Sequence, residues 1–407
     1  MATRIRFGEN TTVSYEWLTE NPEAAQRILR KHKGTHPICL CNARQGVPLY
    51  IALKQDYYLS RMPGTADRHA TDCPFFDAPL ASSGLAHYSK RALRENGDDS
   101  IGILLDPPIG EGAHGAARNE NDDGGLRARV SLRGLLDLLW QRAGFNQWHP
   151  NMAGRRTYAA LRKYLLTAGA GVQVKQHPLT DYLYIPEPYV EAQRADIEQR
   201  TQAHLNRLLL TSTRRPKRML VLGVVRAYRS SPYGLGLQLR QCSPQMVFWL
   251  NKDLSVRYRE QYCAGDDPEK LLSNERHVVV LLAVDRSPKG YHQIAALAQM
   301  DTTPAYIPQE SPHDAHVAQQ LVAAERRFLK PLRYDADQDM AFPDFLLLDA
   351  AERPIPLEIY GGGRSERYDT RKQQHVRHYQ EVGEPYWAWD VRQAPRDPPP
   401  LPPPVIR

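Results

Sequence analysis

The 407-residue chain sets 53 Lys and Arg against 46 Asp and Glu, a formal charge of +7, and 42% of it is hydrophobic. That apolar share suits two or three globular cores and excludes a disordered or fibrous chain, while the basic excess favours anionic partners, nucleic acid first. No apolar run reaches the roughly 18 to 20 residues that cross a bilayer, "MATRIRFGEN" has no secretory hydrophobic stretch, and five cysteines make no even disulfide framework, so a cytoplasmic protein with no membrane partner is expected.

In chain order, "NPEAAQRILRKHKG" predicts a helix with Asn21 at its cap, Pro22 in the first turn, Glu23 at the positive end and Gly34 closing it. "VPLYIALKQDYYLSRMPG" predicts a hairpin stopped by Pro63-Gly64, which completes an N-terminal unit over 1–95. Gly, Asp, Asn and Pro dominate 96–125, the composition of a linker or long loop. A helical segment follows over 126–215, with "SLRGLLDLLWQRAG" and "RRTYAALRKYLLTAG" packed on each other through leucines at helical spacing. Residues 216–305 read as a β-rich domain ("RMLVLGVVRAY", "GLGLQLR", "MVFWL", "HVVVLLAV", "YHQIAALAQM") with one helix near "SVRYREQY". Residues 306–392 run helix, hairpin, helix and short strand. The end, 393–407, holds "PRDPPPLPPP", expected as a solvated polyproline tail. The expected class is α+β and multidomain.

Cys39 and Cys41 form a C-x-C, and "HATDC" supplies His69 and Cys73 beyond the hairpin. Three thiolates and one imidazole match a closed tetrahedral Zn²⁺ site that would staple the N-terminal unit. The plainer alternative is three buried cysteines with a histidine nearby. Cys242 and Cys263 stand apart and read as core; His149, His177 and His292 are isolated. Arg155, Arg156, Arg162 and Lys163 flank the second central helix as candidate DNA contacts, against the commoner alternative of a solvated basic face.

In "FPDFLLLDAAERPIPLEIYG" period two sets Glu358 and Tyr360 on the face opposite Leu357 and Ile359, and antiparallel pairing brings Asp344 to Glu358. Two hard oxygen donors at one sheet end predict a Mg²⁺ or Mn²⁺ site. Val317, Leu321, Glu325 and Phe328 follow helical spacing, which predicts Glu325 as a third, inward carboxylate. Tyr368, Arg371, Lys372, His375 and Tyr379 share one face of the next helix and offer cations and donors to a phosphate or an attacking water.

A "PD" opening one strand, a Glu on the next, an acid on the preceding helix and a base beyond resemble the restriction-endonuclease-like PD-(D/E)-x-K nucleases. The resemblance implies an αβββαβ core, a divalent metal and phosphodiester hydrolysis by activated water, with Glu325, Asp344 and Glu358 as its acids. The lysine two residues after Glu358 is replaced by Tyr360. Relatives with the E-x-x-G form of "EIYG" draw it from the next helix, which makes Lys372 the catalytic candidate, with Arg371 and His375 behind it and Arg371 also a DNA contact. The whole chain further resembles a bacterial family of unknown function carried on integrative and conjugative elements, through "CLCN", "YYLSRMPGT", "HATDC", "AGFNQWHPNMAGRR", "RRFLKPLRY" and "FPDFLLLD". The expected function is metal-dependent DNA cleavage on mobile DNA, by a homodimer or with a protein partner from the same element. The alternative is an inactive DNA-binding accessory or scaffold that keeps the nuclease fold.

Overall fold

The structure, a computed structural model, describes residues 3–42, 45–53, 56–62, 65–70, 73–76, 83–89, 91–96, 100–111, 127–209, 217–287, 289–334, 342–361 and 366–405. The Pro63-Gly64 stop and residues 97–99 and 112–125 of the expected linker lie outside that set. The chain is α+β, with eight α-helices and five sheets among the described residues.

The first long helix forms over Pro22–Lys31 and buries Ala25 and Leu29. It lies on an antiparallel sheet ordered Thr11–Ser14, Arg4–Phe7, Ile38–Cys39, Val47–Leu53 and Tyr57–Arg61, the last two being the expected hairpin. Residues 101–111, expected as linker, instead hold the strands Ile101–Ile103, Leu105–Asp106 and Gly110–Glu111. Their polar composition is offset by parallel pairing to Val172–Val174, which buries Ile101 and Ile103 with Leu105 and Ile109 nearby.

The β-rich middle closes on itself. Lys217–Ser231 pairs antiparallel with both Gly234–Leu239 and His277–Arg286; Gly234–Leu239 pairs with Phe248–Asn251; that strand runs parallel to His292–Thr302, which returns to His277–Arg286. Alternation divides the first strand between two cores. Met219, Val221 and Val225 point into the barrel, and Leu220, Leu222 and Val224 point out. The outward set packs on the helices Leu132–Arg142 and Tyr158–Ala170, which meet as expected. Trp140 Nε1 ties the first of them to the segment after the barrel's last strand by donating to the Tyr306 carbonyl at 3.0 Å. Each fully buried aliphatic here contributes roughly 1.5–3 kcal/mol by leaving water.

The C-terminal segment runs helix Pro312–Ala323, strands Phe328–Leu329, Phe345–Leu347 and Ile355–Tyr360, helix Glu366–Val382 and strand Trp387–Asp390. Its three leading strands are antiparallel, the last is parallel to Ile355–Tyr360, and Gln147–Trp148 from the central connector adds an outer strand. The run "FLLL" is apolar at every position because both its faces are covered. Phe345 and Leu347 face the C-terminal core, whereas Leu346 and Leu348 join Ile5, Phe7 and Leu49 of the N-terminal unit.

The proline-rich end is docked, not a free tail. Trp387 Nε1 donates to the Pro399 carbonyl at 3.2 Å, the Val405 amide donates to the Asp349 carbonyl at 2.8 Å, and Leu401 packs on the C-terminal core. Arg326, 4% exposed, pairs with Asp349 at 2.7 Å and donates to the Pro402 carbonyl. Composition could not reveal this, because Arg326 and Asp349 lie far upstream in the chain. Deleting 398–407 strips these hydrogen bonds and should cost about 1–3 kcal/mol. A shifted urea midpoint is the expected reading; an unchanged one would mean that the segment is solvated.

Candidate metal centre and carboxylate–lysine site

Cys39 closes the short central strand Ile38–Cys39, and Cys41 follows two residues beyond its end. The hairpin returns the chain to the single turn Ala66–Arg68, which delivers His69 and then Cys73. All four ligand atoms lie within 4.8 Å of one another. Cys39 Sγ is 3.6 Å from Cys73 Sγ, and His69 Nδ1 is 3.4 Å from Cys41 Sγ and 3.5 Å from Cys73 Sγ. The sulfur separation far exceeds the roughly 2.05 Å of a disulfide. The amides of Ala70 and Phe75 donate to Cys41 and Cys73 at 3.3 and 3.5 Å, as they would to thiolates.

The cluster's protons are unevenly held. Cys41 is driven far below the usual thiol range, first by its hydrogen bond with Cys39 and then by Cys73, while the same Cys39–Cys41 bond raises Cys39 to about 12. Crowded sulfurs cannot all ionise without a cation between them. Three sulfurs and a ring nitrogen, nearly all buried, therefore suit a structural metal ion such as zinc.

In the C-terminal sheet, Asp344 stands just before Phe345–Leu347 and opposite Glu358 of Ile355–Tyr360, with Phe345 in register with Leu357. The helix Glu366–Val382 crosses this sheet end and lowers Lys372 between them. Lys372 Nζ lies 2.9 Å from Asp344 Oδ2 and also donates to Glu358 Oε2 and to the Phe342 carbonyl. Asp344 Oδ2 accepts a further bond from the Ile359 amide at 2.6 Å. Glu358 Oε1 accepts from the Tyr379 hydroxyl at 3.3 Å and faces His375 Nδ1 at 3.4 Å. Burial, with Glu358 beside it, raises the Tyr379 hydroxyl well above its usual value, so it remains a donor. Exposure is 4% for Asp344 and zero for Glu358 and Lys372, so each charge depends on the others.

Four of the expected residues thus meet: Asp344, Glu358, Lys372 and His375. Glu325 does not. The helix ends at Ala323, and Glu325 sits exposed in a turn with φ of 52°. Helical spacing was carried one turn too far. The inward acid of that helix is Asp314, 1% exposed and 2.7 Å from Lys330 Nζ, itself 2% exposed. Sequence reasoning missed this pair, although "SPHD" carried its signal. Ser311 caps the helix by accepting from the Asp314 amide at 3.1 Å, and its hydroxyl donates to Asp314 Oδ1 at 2.6 Å.

The expected DNA contacts separate. Arg155 and Lys163 are exposed, but Arg162 is half-buried and donates to the Ile185 carbonyl at 3.0 Å. Arg156 turns inward, contrary to expectation. It donates to the carbonyls of Gly144, Phe145 and Gln147 and lies over the rings of Phe145 and Trp148, and burial lowers it to about 9. Arg156 thereby ties down the segment that follows the helix Leu132–Arg142, since one guanidinium can donate to several carbonyls at once. The side chains of Arg371 and Tyr368 lie outside the described set. Cys242 and Cys263 are buried in the barrel core, as expected.

No helix among the described residues is long and apolar enough to cross a membrane. No curated protein matches the chain. A family model described as "Protein of unknown function (DUF1173)" matches residues 16–392, from just before the helix Pro22–Lys31 through the last strand of the C-terminal sheet, and the chain belongs to that family.

Proposed function

We propose that the Asp344–Glu358–Lys372 site hydrolyses phosphodiesters in DNA with a divalent metal, on mobile DNA as the sequence resemblance implies. One observation carries the reading: Lys372, from the helix after the strands, bonds both carboxylates at one sheet end, which restores the cation that Tyr360 leaves out. The order helix, three antiparallel strands, helix and parallel strand supports a restriction-endonuclease-like core.

Asp344 and Glu358 are the oxygen donors that would hold Mg²⁺ or Mn²⁺, which when bound acidifies a water and polarises the phosphate. Lys372 supplies positive charge beside the carboxylates, where it would stabilise charge growing on the phosphate oxygens. Tyr379 holds Glu358 by donating to Oε1, and the Ile359 amide holds Asp344, so both acids are fixed before substrate arrives. Glu325 has no part in this arrangement. Arg155 and Lys163 remain candidate phosphate contacts, and the Zn²⁺ unit and a second copy of the chain remain candidates for positioning DNA.

Nicking of supercoiled plasmid and single-stranded circles with Mg²⁺ or Mn²⁺ tests this. Asp344→Ala and Glu358→Ala, checked for folding, should each lose about 100-fold or more in rate. DNA binding without cleavage under any metal would instead support the inactive accessory reading, which Tyr360 in the lysine position favours.

A further inference from the structure

The middle barrel has an outer face of its own character. Its five strands close in the order first, second, third, fifth, fourth, with the third and fifth parallel and the helix Lys252–Cys263 between the third and fourth. This is the five-stranded Greek-key arrangement of the OB-fold, whose second and third strands and flanking loops form a ligand face. The helix plugs one end of the barrel: Tyr258 bonds the Tyr228 hydroxyl at 2.7 Å, and Ser255 accepts from the Leu235 amide at 2.9 Å. Gly223 points inward where a Cβ would stand 2.8 Å from Leu239, a close approach in a strand that also shifts register between Val225 and Ala227.

The outside of the barrel is treated unequally. Over the first, fourth and fifth strands, Leu222, Val224, Leu281 and Met300 are sealed beneath the central helices. Over the second and third, Leu235, Leu237, Phe248 and Leu250 point inward, and a row of a different kind points out. Arg229 is in register with Gly236, Gly236 with Trp249, and Trp249 with Gln293, so cation, aromatic ring and amide cross four strands side by side. Arg229 and Gln293 are exposed and Trp249 is half-exposed. Gly236 keeps the floor flat, because a Cβ there would sit 3.0 Å from the Trp249 ring.

Both loops add to this row. Tyr233, between the first and second strands, is 86% exposed, and Tyr291, between the fourth and fifth, is 58% exposed. Large aromatics left in water on loop tips forgo burial they could otherwise gain. Arg286 and Lys289 stand exposed beside Tyr291. Aromatic faces interleaved with cations offer stacking to bases and charge to phosphates, the two terms that hold single strands without reading their sequence.

We propose that this face, centred on Trp249 and rimmed by Arg229, Tyr233, Arg286 and Tyr291, binds single-stranded nucleic acid. It uses none of Asp344, Glu358 or Lys372, so binding here and hydrolysis there stand or fall separately.

The test is fluorescence anisotropy of the full chain with labelled oligo-dT, oligo-rU and duplex DNA of about 20 nucleotides, a length covering at least one barrel's site. No Mg²⁺ or Mn²⁺ is added, so hydrolysis does not contribute. Oligo-dT or oligo-rU should bind more tightly than duplex, and the stronger of the two identifies the natural strand. Affinity should fall steeply as salt rises. Trp249→Ala should weaken binding about 5- to 150-fold. Because Trp249 is partly packed, the exposed pair Tyr233→Ala/Tyr291→Ala and the charge reversal Arg229→Glu serve as variants that keep the fold, and each should also weaken binding at least about fivefold. Wild-type affinity in these exposed-site variants, preference for duplex, salt-insensitive binding, or no binding to either single strand would each overturn the proposal.

Discussion

Stripping metal from the Cys39–Cys41–His69–Cys73 cluster should unfold the N-terminal sheet while the barrel stays folded. Structural zinc in small modules contributes about 10–16 kcal/mol of apparent binding energy near neutral pH, more than a unit this size can replace from its own core. Without a cation, Cys39 keeps its proton and bonds the Cys41 sulfur, so the cluster cannot present all its thiolates at once. The damage should spread along one route: Ile5, Phe7 and Leu49 share a core with Leu346 and Leu348, so the C-terminal sheet loses cover on one face. Hydrogen exchange before and after chelation would read this directly. Protection should vanish over Arg4–Phe7 and Val47–Leu53, weaken over Phe345–Leu347 and persist over His277–Arg286. Purified protein that holds no metal, or protection indifferent to chelator and to Cys39→Ser, would remove the metal from the account.

Lys372→Met should destabilise the chain by about 3–5 kcal/mol, since it leaves Asp344 and Glu358 buried with no cation between them. The same substitution should abolish nicking if the site is catalytic, but the stability effect does not depend on catalysis. Replacing the acids as well separates the charge effect from lost packing. Asp344→Asn/Glu358→Gln/Lys372→Met removes every formal charge at similar volume and should recover most of the loss, because a buried triad replaced whole is often nearly neutral. Urea midpoints of the single and triple variants measure both quantities. A single variant as stable as wild type would mean that water reaches the carboxylates, contrary to the zero exposure of Glu358.

Local patterns in the sequence determined much. Ser, Thr, Asn and Pro at helix starts, two-residue alternation in the strands and the C-x-C…H-x3-C spacing are set by neighbours within a few residues, so the first long helix, the hairpins and the Cys/His cluster could be read directly. Asp344, Glu358 and Lys372 were legible for the same reason, since one strand pairing and one helical face place all three.

Only the tertiary structure decided the rest. Glu325 turns outward because the helix stops at Ala323 and the chain takes a left-handed turn, while Asp314 in the first helical turn is held inward by Ser311 and Lys330. Arg156 became a clamp on backbone carbonyls and not a surface cation, because the carbonyls of Gly144, Phe145 and Gln147 converge on it in the folded chain. The proline-rich end docked because Arg326, Asp349 and Trp387, far apart in the chain, present bonds to it. Closure of the middle strands into a barrel, and with it the row of Arg229, Trp249 and Gln293, rests on pairings between segments tens of residues apart. Alternation in a strand states which side chains share a face; it carries no information on which strand will lie beside it, because that choice is made by the packing of the whole.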